Sequence, residues 1–77
     1  MKIVEYVGPK NSQNIQDGTP FLVIGFCSGE WELSKTNWYD VKYNQDAIRE
    51  LHDALAVNLS VKPADYDKYF RFAQDVE

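Results

Sequence analysis

At Asn44 the apolar residues change period. Upstream they form short blocks or alternate, as in Phe21 to Cys27 and then Tyr39, Val41 and Tyr43; downstream they recur every three to four residues to the end of the chain. Blocks and alternation are the mark of strands, and the longer repeat is the mark of amphipathic helices. The expected order is therefore a small sheet followed by two helices. With 77 residues there is room for a single domain over 1–77, in which nearly every large apolar side chain is needed for the core.

Lys2 to Val7 has strand composition, and its charges at Lys2 and Glu5 suit a sheet edge. Residues 8–18 hold two Gly, one Pro and two Asn, with Ile15 the single apolar member, which reads as a long loop. Pro20 can only begin a strand, and the run from Phe21 to Cys27 is apolar on both faces, with Gly25 marking a bulge. Ser28-Gly29 is a two-residue hairpin turn into the alternating segment Glu30 to Ser34, and Lys35-Thr36-Asn37 is a second turn. Trp38 to Tyr43 then alternates, with Tyr39, Val41 and Tyr43 on one face and Trp38, Asp40 and Lys42 on the other.

Asn44 suits the N-cap of the following helix, and Tyr43 with Ile48 has the spacing of a hydrophobic staple. Ala47, Ile48, Leu51, Ala54, Leu55 and Leu59 share one arc of that helix. Asn58 suits its left-handed end, and Pro63 suits the first turn of a second helix. That second helix gathers Tyr66, Tyr69, Phe70, Ala73 and Val76 on one side. The fold class expected is α+β: a three- to four-stranded, mostly antiparallel sheet with strands near 2–7, 20–27, 30–34 and 38–43. Two C-terminal helices, near 45–58 and 63–75, pack on one of its faces.

Charge narrows the function classes. The net charge is −4, and it is uneven: residues 1–43 carry four Lys against five acids, whereas residues 44–77 carry four Lys or Arg against seven acids. No basic stripe is present to release counterions, so nucleic acid is a disfavoured partner. The lone Cys27 cannot form an internal disulfide, Met1 leads directly into an alternating stretch without a signal-peptide pattern, and the longest apolar run is seven residues. A cytoplasmic, reducing setting with no membrane segment is expected.

Chemistry-bearing residues are sparse. Cys27 and His52 would have to form any nucleophilic pair, but Cys27 lies in an apolar strand and is expected in the core. One His, one Cys and scattered acids have no metal-ligand spacing, Asp65-x-Asp67 lacks the rest of a calcium loop, and the four glycines form no phosphate cradle. No enzyme activity, metal or cofactor is expected.

Two surfaces remain. Asp46, Glu50 and Asp53 stack along one side of the first helix, an arrangement that a basic partner would relieve. Trp38 and Asp40, joined by Trp31, are expected on the sheet face away from the helices, as an aromatic patch beside charge. The function expected is a non-enzymatic protein-binding module, a small acidic inhibitor or adaptor for a basic surface of a larger protein. One form of this is the phage or mobile-element accessory protein that occludes a host enzyme. Alternatives are a structural homo-oligomer, a dimer through the exposed sheet face, and a single-stranded nucleic-acid module that stacks bases on Trp31 and Trp38.

Overall fold

The computed structural model describes residues 1–9 and 15–76. Five strands and three short helices follow one another as β1 (Lys2–Tyr6), β2 (Pro20–Cys27), β3 (Glu30–Lys35), α1 (Trp38–Tyr43), α2 (Gln45–Asp53), β4 (Leu59–Val61), α3 (Pro63–Tyr69) and β5 (Phe70–Asp75). The strands form one antiparallel sheet in the order β4-β3-β2-β1-β5. The α+β class stands; the strand and helix counts differ from the expectation.

The β2–β3 hairpin forms where its turn residues place it. Ser28 and Gly29 both take positive φ, 54° and 80°, as a two-residue turn matching the twist of its strands requires. The register shifts between Val23 and Gly25, so Gly25 does mark a bulge. Beyond the bulge the run turns outward: Phe26 is 53% exposed and Cys27 is exposed, so Cys27 is a surface thiol and not the core residue expected.

β1 is not an edge strand. It lies between β2 and β5, and its Glu5 charge is accommodated by Arg71 across the β5 ladder, with Nε 2.6 Å from Oε1. The Met1 amino group donates to the Val76 carbonyl at 2.9 Å, and the Val76 amide returns the bond to Met1 at 2.7 Å. Of the loop expected over 8–18, residues 10–14 lie outside the described residues, and Ile15 is buried.

Two expected elements change type. Trp38–Tyr43 is helix α1 and not a fourth strand, and the helix expected over 63–75 ends at Tyr69, where Phe70 turns extended (φ −126°, ψ 144°) and begins β5. For residues 70–75 a local pattern compatible with either period is decided by the distant ladder with β1, whereas Trp38–Tyr43 follows a local cap at Asn37. As a strand, residues 70–75 run along β1 and place Phe70 edge-on to Phe21 and Tyr6, with ring centroids 5.5 and 5.4 Å away.

The first expected helix also ends early, at Asp53. Its left-handed terminal residue is Leu55 (φ 52°) and not Asn58, whose side-chain oxygen accepts instead from the Lys35 amide at 3.0 Å. The Ala56 amide bonds the Leu51 carbonyl and the Leu55 amide bonds the His52 carbonyl, both at 3.1 Å, which closes a Schellman turn. Leucine is strained there by about 1–2 kcal/mol, and its side chain is 67% exposed and recovers little by burial. Leu55→Gly is therefore expected to stabilise the fold by about 0.5–1 kcal/mol after glycine's own chain-entropy cost, raising Tm by about 3–6 °C in thermal melts. An unchanged or lower Tm would show that Leu55 is not strained.

The helices are not all on one face. Ile3 and Leu22 point to the side carrying α1 and α2, where they bury Val41, Ile48 and Val76. Their chain neighbours Val4 and Phe21 point to the other side, where Leu33 and Phe70 join them beneath Tyr66 and Tyr69 of α3. Each face thus carries its own half-core, and Trp31 and Trp38, expected together on the sheet face away from the helices, lie on opposite sides of the sheet.

Candidate protein-binding face

The layer formed by α1 and α2 is organised by two asparagines. Asn37 caps α1: its Oδ1 accepts from the Asp40 amide at 2.8 Å, while its Nδ2 donates to Asp40 Oδ2 at 3.0 Å. This reciprocal pair resembles a capping box, and the spacing Asn37-x-x-Asp40 is the local feature of the sequence that could have pointed to a helix over 38–43. Asn44 is both the C-cap of α1 and the N-cap of α2, so the chain turns a corner there without a loop. Its side chain makes no capping bond, and Tyr43 is 75% exposed, so the expected staple with Ile48 is absent.

A helical period sorts residues 38–43 differently from an alternating one. Val41 is fully buried, and Trp38 packs against the same half-core with its Nε1 donating to the Gly18 carbonyl at 2.8 Å. Tyr39 and Tyr43, four apart, are left facing outward at 68% and 75% exposure, with ring centroids 5.4 Å apart. An alternating period puts both tyrosines on one face with buried Val41, so they are surface residues that the sequence reading misses.

The acids divide by position. Asp46 and Asp53 stand outermost, their side chains 85% and 84% exposed; Asp46 pairs with Arg49 at 3.0 Å, and Asp53 lies 3.8 Å from His52 Nδ1. Asp40 and Glu50 come from different helices and line a common groove of about 390 Å³. Ala47, Leu51, Ala54 and Ala56 supply its apolar lining, and Lys35 and Thr36 join them from the exit of β3. Glu50 forms no ion pair among the described residues.

Of the six residues singled out from the sequence, the structure gathers Asp40, Asp46, Glu50 and Asp53 on the α1–α2 layer. Trp38 lies beneath that layer. Trp31 is on the far side of the sheet, stacked on Tyr66 at 4.6 Å and touched edge-on by Phe26. The two tryptophans therefore share no stacking surface. Burial, reinforced by the neighbouring Asp67 carboxylate, holds the Tyr66 hydroxyl above the ordinary phenol range, so it stays neutral at physiological pH.

Among the described residues no three His, Cys, Asp or Glu side chains converge as metal ligands, and no helix is long and apolar enough to cross a membrane. No family model matches the chain, and neither a curated protein nor a solved structure matches it.

Proposed function

We propose that this chain is a non-enzymatic protein-binding module, an acidic inhibitor or adaptor whose α1–α2 layer docks against a basic surface of a larger protein. The observation that supports this reading most is the exposed Tyr39–Tyr43 pair, 68% and 75% accessible, on the same two helices as Asp40, Asp46, Glu50 and Asp53. A helix that needed only to be wet would present Lys, Glu or Gln at those positions, at no loss of helix propensity. Tyrosine beside carboxylates is the composition of an interface centre with a charged rim: the rings supply contact area at low entropy cost, and the acids steer a basic partner and enforce register.

The test is affinity capture from lysate with the wild-type chain beside a variant carrying Asp46→Lys, Glu50→Lys and Asp53→Lys. Because all three are exposed, the variant should fold normally. Recovery of a specific partner is expected to fall at least tenfold at low salt. Equal recovery by the two proteins would remove the acidic face from the reading.

A further inference from the structure

Resting on that reading, we infer that the groove between α1 and the second half of α2 is a socket for one arginine side chain of the partner. Its lining offers two acceptor carboxylates, Asp40 from α1 and Glu50 from α2; the Thr36 hydroxyl beside them has no hydrogen-bond partner, but its oxygen is shielded from solvent and is not counted among the acceptors. Donors are few. The side-chain amide nitrogen of Asn37, a lining residue, is already bonded to Asp40, and Lys35, which forms no ion pair with either carboxylate, is shared with a neighbouring hollow lined by Phe21 and Leu59.

A guanidinium brings five N–H donors in a planar fork, and acceptors held on separate elements can use several of them at once. The three-carbon stem of arginine would lie against the apolar lining residues Ala47, Leu51, Ala54 and Ala56, as long basic side chains do when only the head is polar. Ammonium, a compact charge that is more strongly hydrated, gains less from such a wall. The volume, about 390 Å³, is near the lower end of the ~300–1,000 Å³ range of ligand sites and suits one long side chain with its flanking backbone.

The probe is a blocked peptide, acetyl-Ala-Arg-Ala-amide, titrated into the full chain labelled with nitrogen-15. Its citrulline and lysine counterparts serve as controls. Saturable shifts are expected at the amides of Thr36, Asp40, Ala47, Glu50 and Ala54, with a Kd of about 1–10 mM for a single anchored side chain. Affinity should fall at least fivefold in Glu50→Gln and in Asp40→Asn, each first checked by its spectrum to be folded, and it should weaken with added salt.

Citrulline binding as tightly as arginine, or shifts centred elsewhere, would overturn the socket. Lysine binding as tightly would overturn its guanidinium selectivity. If capture by the wild-type chain is abolished in the triple-lysine variant while the arginine peptide gives no saturable shift, the socket fails and the protein-binding reading stands. Arginine binding with no change in capture gives the reverse.

Discussion

Phe70→Ala is expected to cost about 3–5 kcal/mol, enough to leave the domain only marginally folded. The side chain is 7% exposed, and its ring packs edge-on to Phe21 and Tyr6 and near-parallel to Tyr66 at 6.0 Å. Each such ring pair adds about 0.5–1.5 kcal/mol beyond burial of area, and a domain this small has a total stability toward the lower end of about 5–15 kcal/mol. Phe72, two residues on and 55% exposed, is the internal control: Phe72→Ala should cost about 1 kcal/mol or less. Urea titrations of both variants decide the matter. Nearly equal losses would mean that Phe70 is not the residue joining β5 and α3 to the half-core.

That prediction falls where local pattern and long-range pairing disagree. Tyr66, Tyr69, Phe70, Ala73 and Val76 fit a helical stripe well, yet Phe70 and Phe72 flanking Arg71 fit an alternating one, and nothing within six residues separates them. The ladder with β1 separates them, because it pairs Tyr6 with Phe70 and Val4 with Phe72 and has no short-range signature. The β2–β3 hairpin was readable for the opposite reason: Ser28-Gly29, the bulge at Gly25 and the start at Pro20 are each dictated by backbone chemistry within a few residues.

At Trp38–Tyr43 the local signal was present and outweighed. Alternation of large and charged residues suggested a strand, while the cap from Asn37 to Asp40 specified a helix. The difference bears on function as well as fold, since a strand here would turn Tyr39 and Tyr43 toward the helices and Trp38 away from them, whereas the helix leaves both tyrosines exposed and packs Trp38 against the half-core. The acidic residues were less sensitive to it. Asp46, Glu50 and Asp53 fall on the outer side of α2, which a 3.6-residue period fixes without knowledge of what lies beneath. Glu50 meeting Asp40 across a groove could not be read, because it depends on the corner at Asn44.

Replacing both tyrosines, Tyr39→Ala and Tyr43→Ala, is expected to separate folding from binding. Neither ring is buried, their mutual contact is worth about 0.5–1.5 kcal/mol, and alanine returns a few tenths of a kcal/mol per position in helix propensity. The double variant should therefore melt within about 5 °C of wild type. Its affinity for a captured partner should fall far more. An interface centre residue of this type contributes about 2 kcal/mol or more on truncation, so a loss of about 30-fold is expected from either change, and a larger but non-additive loss from both. Calorimetric titration of the partner with each protein measures this directly. Affinity retained within threefold would leave the rings as surface ornament of the fold. A fall in Tm as large as that of Phe70→Ala would show instead that α1 depends on them for packing. A small change in Tm with a large change in affinity is the combination that only a recognition surface produces, because residues held outward at 68% and 75% exposure have almost no core contacts to lose.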